Sequence, residues 1–192
     1  MGSAFAGPPH HARRPRGHAR RLPEETRPLL QHPGQLRRAA REATAQKPLL
    51  RAYLNAEVRD QLVSGDVLAA QLWSTTAQQA IDAAPALAFT YPAEGFPFYC
   101  DCAVILRESG RQRLAHQFLD YLLRPAVSAT IAQSTRTATA NGAAHALLPE
   151  ATRNNPTLYP PPEIFQRGEW PRTLPPVAQR LRDRLWTEIK AS

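Results

Sequence analysis

One carboxylate and one aromatic ring stand close together near the middle of this chain. Tyr99 and Asp101 lie two residues apart in a short apolar segment, after a turn rich in proline at residues 92–97. Because side chains alternate across a β-strand, this spacing predicts that both side chains point to one face. A carboxylate can pair with an ammonium group, and a ring can attract the cation or cover its methylene groups. The pair therefore predicts a site for a small organic cation.

The same pattern is also typical of an ordinary strand whose edge faces the solvent. One aspartate beside one tyrosine is a weak signal, and on chemistry alone this alternative is favoured. The two cysteines, Cys100 and Cys102, would share the opposite face of the strand. Because no further cysteine or nearby histidine completes a ligand set, we expect no structural zinc, and predict two small buried side chains behind the strand.

Strands and helices alternate along the chain, which predicts an α/β layer structure for its ordered part. Hydrophobic periodicity and the positions of serine, glycine and proline place the elements. We expect helices at residues 35–45, 56–63, 75–84, 111–123, 126–134 and 177–191, with short helical pieces in residues 135–167, and strands at residues 67–73, 87–91 and 98–106. Ser74 is expected to cap its helix. In the helix at 111–123, Leu114, Phe118, Tyr121 and Leu122 share one face, and in the last helix Val177, Leu181, Leu185 and Ile189 point inward.

The chain has no motif that is typical of catalysis or of a cofactor site. It lacks a glycine-rich phosphate loop, a G-x-S-x-G turn and an H-E-x-x-H pair. We therefore expect no enzymatic activity, no cofactor and no metal. No apolar run reaches the roughly 18 residues of a membrane span, and the first residues lack the apolar core of a secretory signal. Made as written, the chain is expected to stay in the cytoplasm.

Positive charge is concentrated at the amino-terminal end. Residues 1–50 carry ten lysines and arginines against three acidic residues, whereas the whole chain has a net charge of only +8. Residues 1–34 are rich in arginine, proline, histidine and alanine, and we expect them to be disordered. Two explanations stay open for them: a basic arm that binds nucleic acid, and a product of GC-rich DNA read in the wrong frame. The arm would make the chain a nucleic-acid-associated protein, although no aromatic residues are interleaved with its arginines.

Four segments, in this order, resemble a known family. They are SGDVLAAQLWSTTA at residues 64–77, YPAEGFPFYCDCAVI at 91–105, FLDYLLRPAVSATIAQ at 118–133 and LLPEATRNNPTLYPPPEIFQRGEWPRTL at 147–174. Together they are similar to bacterial periplasmic substrate-binding proteins of ABC transporters for the polyamines spermidine and putrescine. The resemblance runs from about Gln46 to the carboxyl terminus.

This resemblance implies one lobe of a two-lobed, type II periplasmic-binding-protein fold. Ligand would lie in a cleft between the lobes, which close over it about a hinge, and the loaded protein would dock on a membrane permease. The chain resembles only the second lobe and the carboxyl-terminal tail of the family, and we expect residues 35–192 to form that lobe. The resemblance implies a periplasmic location and a polyamine or related organic cation as ligand, with nucleic acid not expected as a partner.

The resemblance also assigns ligand-binding residues one at a time. Trp73 matches a tryptophan that stacks on the polyamine, Tyr99 stands where a second stacking tryptophan is common, and Asp101 matches the carboxylate that pairs with an ammonium. Asn55 stands near a serine of the cleft, in a loosely matching segment. Two positions depart from the family: Thr137 replaces a tyrosine of many relatives, and Pro171 replaces a glutamine of the spermidine binders. These departures favour a polyamine-like cation over spermidine itself.

Overall fold

The computed structural model describes the backbone of residues 2–6 and all of residues 33–192. The described residues form two compact units, one with residues 2–6 and 56–168, the other with residues 33–55 and 169–192. Helices and strands are mixed, which confirms the predicted α/β class. The elements are β1 (Gly2–Ala6), α1 (Pro33–Gln46), α2 (Val58–Ser64), β2 (Ala69–Leu72), α3 (Ser74–Ala83), β3 (Leu87–Thr90), β4 (Phe96–Pro97), α4 (Gln112–Leu122), α5 (Pro125–Thr135), α6 (Gly142–Ala146), α7 (Glu150–Arg153), α8 (Pro162–Phe165), β5 (Gly168–Glu169) and α9 (Pro176–Ala191). A short 3-10 helix at Lys47–Leu49 follows α1.

A three-stranded sheet forms the first unit's framework, with β1 between β2 and β3. β1 runs antiparallel to both neighbours and places Ala4 opposite Ala70 on one side and Phe89 on the other. The expectation that residues 1–34 contain no regular structure is therefore wrong for Gly2–Ala6. The physical reason is that β2 and β3 each present an edge whose amide and carbonyl groups need partners, and β1 pairs with both. Residues 33–34 of the expected disordered segment begin α1, and Met1 and residues 7–32 lie outside the described residues.

The core of the first unit lies between this sheet and helices α2 and α3. Its buried members are apolar side chains of α2, β2, α3 and β3: Leu62, Leu72, Ala77, Ala80 and Leu87. Helix α2 ends at Gly65, which has a φ of +82° and donates its amide to the Leu62 carbonyl at 3.2 Å. This left-handed conformation favours glycine, as the sequence predicted. Trp73 holds the cap position of α3 and Ser74 is the first residue of the helix, so the predicted cap role of Ser74 is wrong.

A second cluster of the first unit joins α5 to α6. Ala129, Ala132, Ala144 and Leu148 are buried together, with Tyr159 packed against them. Pro125 opens α5 as predicted, since a first-turn proline lacks only an amide that the helix would leave unpaired. Asn141 caps α6, because its side-chain oxygen accepts the Ala144 amide at 3.1 Å.

The second unit is held by packing of α1 against α9. Leu36 is buried with Ala178 and Leu181, and Ile189 is 6% exposed. The predicted inward face of α9 is thus confirmed for Leu181 and Ile189. Val177 is 65% exposed, so its predicted burial is wrong. It lies in the first turn of α9, where Ala178 turns inward instead.

The predicted strand at residues 98–106 does not form. β4 is only two residues long, and residues 98–106 have no regular secondary structure. A strand needs a partner whose backbone completes its hydrogen bonds, and in the described sheets no strand pairs with residues 99–106. Without a strand, the alternation that would put Tyr99 and Asp101 on one face loses its basis.

Helix α4 forms where its periodicity predicted, but its apolar face is exposed. Leu114, Phe118 and Tyr121 are 51%, 60% and 48% exposed, and α4 has no buried residue. Val104 and Leu106, just before this helix in the chain, are also exposed. We call these five residues the open apolar surface. Within residues 33–192, no helix has the length and apolarity that crossing a membrane requires.

Candidate functional site

Two aromatic rings meet where β2 gives way to α3. Trp73 ends the extended segment after β2, and its carbonyl accepts the Ala77 amide at 2.9 Å, which begins α3. The Trp73 and Tyr99 ring centroids lie 4.5 Å apart at an interplanar angle of 63°. Both residues are half-buried, so each keeps some surface accessible to solvent. The structure therefore brings together two of the predicted ligand-binding residues, although they are 26 positions apart.

This edge-to-face contact limits how a ligand can use the two rings. Aromatic pairs prefer such geometry because the positive edge of one ring meets the negative face of the other. Rings in direct contact leave no room for an alkyl chain between them. A cationic ligand would therefore lie against the ring faces that stay exposed.

Two hydroxyl groups extend the ring pair. The Tyr99 hydroxyl and the Thr75 hydroxyl are 3.0 Å apart, and Thr75 also donates to the Thr137 hydroxyl oxygen at 3.4 Å. Thr137, at which the sequence departs from the family, thus lies in the same cluster as Tyr99. Thr75 was missed by sequence reasoning. Its only signal was its place in the Ser74–Thr75–Thr76 run that opens a helix directly after Trp73.

The predicted carboxylate, Asp101, follows Tyr99 by two residues in the sequence. Asp101 is exposed, in the irregular segment at residues 98–106. Its neighbours Cys100 and Cys102 are also exposed, as free thiols. The prediction that these cysteines are buried behind a strand is wrong, because no strand forms to give them an inner face.

Asn55, the fourth predicted residue, belongs to the second unit. It is exposed, and lies between the 3-10 helix at Lys47–Leu49 and α2. Its assignment as a ligand-binding residue stays a prediction. Pro171, the second departure from the family, also lies in the second unit and is exposed.

A turn fixes the entry of the segment that carries Tyr99 and Asp101. Gly95 has a φ of +113°, and its amide bonds the Pro92 carbonyl at 3.3 Å. A Cβ atom at this glycine would lie 2.6 Å from the Arg167 carbonyl oxygen. Both the backbone conformation and the close approach therefore require glycine here.

Aromatic contacts continue from this turn as a chain of rings. Centroid distances of 4.5–5.5 Å join neighbouring members of the series Phe89, Tyr91, Phe96, Phe98 and Phe165. The Tyr91 hydroxyl donates to the Thr157 carbonyl at 2.7 Å. Burial, with a smaller contribution from the neighbouring Tyr99, raises the pKa of Tyr91 to about 12. Tyr91 is therefore a neutral structural anchor at physiological pH, beside a shallow cavity of about 120 Å³ that it lines with Phe89 and Thr157.

Polar contacts hold α3 in place behind the ring pair. Gln78, only 8% exposed, accepts from the Asn155 side chain and donates to Asp82, each at 2.8 Å. Asp82 also pairs with Arg136 at 2.6 Å. Because buried amides need both kinds of partner, this network fixes the orientation of α3 and thereby of Thr75.

Comparison with protein families gives one match. The profile of the bacterial extracellular solute-binding proteins matches residues 35–159, which include Trp73, Tyr99, Asp101 and Asn55. The putrescine-binding periplasmic protein of Escherichia coli (strain K12) is 30% identical over 151 residues, which are 76% of this chain and 41% of that protein. The putrescine/agmatine-binding protein of Pseudomonas aeruginosa is 27% identical over 166 residues, or 83% of this chain and 45% of that protein.

Solved structures share the fold at lower identity. A spermidine/putrescine ABC transporter substrate-binding protein from Streptococcus pneumoniae aligns with a TM-score of 0.66 at 21% identity, and covers 83% of this chain and 50% of its own. A structure from Listeria monocytogenes, named as a spermidine/putrescine ABC transporter, aligns with a TM-score of 0.73 at 21% identity over 84% of this chain and 50% of its own. The chain thus spans about half the length of the proteins that it matches, or somewhat less.

Proposed function

Because this chain belongs to the bacterial extracellular solute-binding protein family, we propose that it forms the second lobe of a polyamine-binding protein that serves an ABC importer. Membership also confirms the prediction of a binding protein that is not an enzyme. The proposed lobe comprises residues 35–192. The complete protein would work outside the cytoplasmic membrane, as the periplasmic relatives do by name, and would deliver its ligand to a membrane permease.

The ring pair at the start of α3 is the observation that carries the proposal. The Trp73 and Tyr99 ring centroids are 4.5 Å apart, and both residues are half-buried. An alkyl diammonium ligand needs apolar surface for its methylene groups and electron-rich faces or carboxylates for its charged ends. Asp101, exposed two residues after Tyr99, is the nearest carboxylate in sequence. Relatives named for putrescine or agmatine support this ligand class.

The open apolar surface supports the assignment to one lobe of two. An amphipathic helix normally covers its apolar face, yet Phe118 on α4 is 60% exposed and Val104 is 77% exposed. The relatives contain a further half that this chain does not span. We propose that this half, the first lobe of the complete protein, covers the surface and supplies a strand partner for residues 99–106. The cleft for ligand would then be completed by both lobes.

Titration with putrescine, followed by calorimetry, tests the proposal in two forms of the protein. The chain as given has only part of a cleft, so we expect a dissociation constant in the millimolar range or weaker. The second form joins the amino-terminal half of the E. coli putrescine-binding relative to residues 35–192, and we expect micromolar binding. Micromolar binding by the chain alone would contradict the single-lobe proposal. Absence of binding by a well-folded second form would contradict polyamine as the ligand.

Single substitutions in the joined form test the individual roles. Asp101→Asn should weaken binding by about 30-fold or more, since it leaves an ammonium without its carboxylate. Asp66→Asn, which removes an exposed carboxylate just after α2, is the matched control and should change binding less than twofold. Trp73→Phe should weaken putrescine binding, whereas Trp186→Phe in the second unit should not. Equal effects of the two aspartate variants would remove Asp101 from the site.

Asn55 is tested in the same way. Asn55→Ala should weaken binding severalfold if its side chain reaches the ligand, and Asn154→Ala, an exposed asparagine after α7, serves as the control. An unchanged dissociation constant for Asn55→Ala would remove Asn55 from the ligand-binding residues.

A further inference from the structure

Positive charge is unevenly shared between the two units. Residues 33–55 and 169–192, which are the described part of the second unit, carry ten lysines and arginines against four acidic residues. Residues 56–168 of the first unit carry eight lysines and arginines against ten acidic residues. The first unit, which holds the ring pair, is thus slightly negative, whereas the second unit is strongly positive. Such a surplus of positive charge favours a partner that is negatively charged.

Helix α1 carries part of this charge on its exposed face. Arg37, Arg38 and Arg41 are all exposed. Leu36 of the same helix is buried against α9, so the helix is fixed to its unit by the opposite face. Residues three and four positions apart are neighbours on a helix surface, so Arg41 lies beside both Arg37 and Arg38. We call these three arginines the basic face.

Among the described residues, no acidic group neutralises the basic face. None of its arginines makes an ion pair with a described residue, and Glu42, four positions after Arg38, does not pair with it. On α9, by contrast, Arg184 pairs at 3.8 Å with Glu188, which is also four positions later. Neighbouring like charges lower the stability of a helix. Helix stability therefore does not account for the basic face.

The guanidinium groups indicate the chemistry of the partner. Arginine presents a planar fork of donors that matches phosphate oxygens in a bidentate manner. Nucleic acids and anionic phospholipids both present closely spaced phosphates. Helix α1 has no aromatic side chain on which a base could stack. The proposed function places the complete protein outside the cytoplasmic membrane, where its permease is surrounded by phospholipids, and this favours lipid over nucleic acid.

We propose that the basic face of α1 binds the headgroups of anionic phospholipids and holds the binding protein at the membrane surface beside its permease. The choice of lipid rests on the proposed function, whereas the unpaired charge of the basic face does not. Attraction between exposed arginines and an anionic surface is electrostatic and is screened by salt. Binding should accordingly weaken as the salt concentration rises.

Co-sedimentation of the full chain with vesicles tests this proposal without putrescine. Vesicles of equal parts phosphatidylglycerol and phosphatidylcholine should bind the chain, whereas vesicles of phosphatidylcholine alone should not. The triple variant Arg37→Gln, Arg38→Gln, Arg41→Gln should bind the anionic vesicles about tenfold more weakly or worse, since each basic residue near such a surface contributes separately to binding. Glutamine is a good helix former, so α1 should stay folded, which circular dichroism checks.

A matched variant changes the net charge equally at a different place. Arg107→Gln, Arg111→Gln, Arg113→Gln removes three exposed arginines of the first unit and should change vesicle binding less than twofold. Residues 1–32 are the same in all three proteins, so their charge does not contribute to the difference. Equal losses in the two variants would overturn the proposal, because total charge would then govern binding.

Two other results would also overturn it. One is equal binding to the phosphatidylcholine vesicles. The other is binding of duplex DNA that depends on the basic face, without binding of anionic vesicles, because the partner would then be nucleic acid. Putrescine is absent from every measurement, so failure of the lipid proposal leaves the polyamine proposal standing, and the putrescine titration can fail without changing the vesicle result.

Discussion

Helices α3 and α4 show how differently two amphipathic helices of one unit can be used. α3 lies against the sheet and buries Ala77 and Ala80 completely. α4 is the more strongly amphipathic of the two, yet Leu114 and Phe118 on its apolar face are exposed. The comparison teaches that periodicity marks a face that needs covering, whereas the partner that covers it is a property of the tertiary structure.

Matched substitutions can test this difference: one at a position in contact with other parts of the first unit, and the same change at a position on or near α4. In every pair the chemical change is the same, so that only the surroundings differ. If the open apolar surface is solvated in the chain as given, the substitution away from α4 should lower the free energy of unfolding more than its counterpart on or near α4.

The largest difference is expected for leucine truncation. Leu62→Ala, at a position of α2 that is 2% exposed, should lower the free energy of unfolding by about 2–4 kcal/mol, because it removes buried apolar contacts and leaves a cavity. Leu114→Ala on α4, at 51% exposure, should cost about 0.5 kcal/mol or less. Urea denaturation followed by circular dichroism measures both. Similar costs would mean that α4 is covered in solution.

The second pair compares two glycines. Gly95→Ala should cost about 1–3 kcal/mol, since residue 95 has a positive φ and the new Cβ would meet the Arg167 carbonyl oxygen. Gly110→Ala, just before α4, meets nothing within 4 Å and should change stability little. The same urea titration checks this. An unchanged free energy of unfolding for Gly95→Ala would show that the turn before Tyr99 can adjust to the added Cβ atom.

The smallest difference is expected for tyrosine hydroxyls. Tyr91→Phe should cost about 0.5–1.5 kcal/mol through loss of the hydrogen bond to the Thr157 carbonyl, whereas Tyr121→Phe on α4 should cost little. The hydroxyl also predicts a pH dependence. Its pKa is raised from 10.0 to about 12 in the folded protein. Between these values the unfolded chain loses the Tyr91 proton while the folded protein retains it, so stability falls as pH rises from about 10 to 12.

Denaturation at several values of pH separates this contribution from general alkaline unfolding. Tyr91→Phe should lose less stability over that interval than the unaltered chain, and Tyr121→Phe should follow the unaltered chain. An identical decline in all three proteins would show that Tyr91 does not hold its proton more tightly when folded.

Local signals in the sequence were reliable where neighbours along the chain decide the outcome. The left-handed end of α2 at Gly65, the opening of α5 at Pro125 and the positions of α1 and α9 all follow from backbone preferences and periodicity. Apart from the predicted cap at Ser74, the failures concern partners that are distant along the chain. The strand expected at residues 98–106 is not formed, and Cys100 and Cys102 are exposed for the same reason.

For the candidate site, too, the residue types could be predicted from the sequence, whereas the contacts between distant residues could not. The residue types at Trp73, Tyr99 and Asp101, and their resemblance to a family of binding proteins, could be recognised in the sequence. Membership of the bacterial extracellular solute-binding proteins is confirmed. The contact between Trp73 and Tyr99 could not be predicted from the sequence, and neither could the hydrogen bonds that join Thr75 to Tyr99 and Thr137. These positions are brought together only when α3 packs on its sheet. Turns and helix ends depend on interactions within a few residues, so the sequence determines them directly. Burial, strand pairing and ring contacts depend on groups far apart along the chain, and only the tertiary structure decides which of them meet.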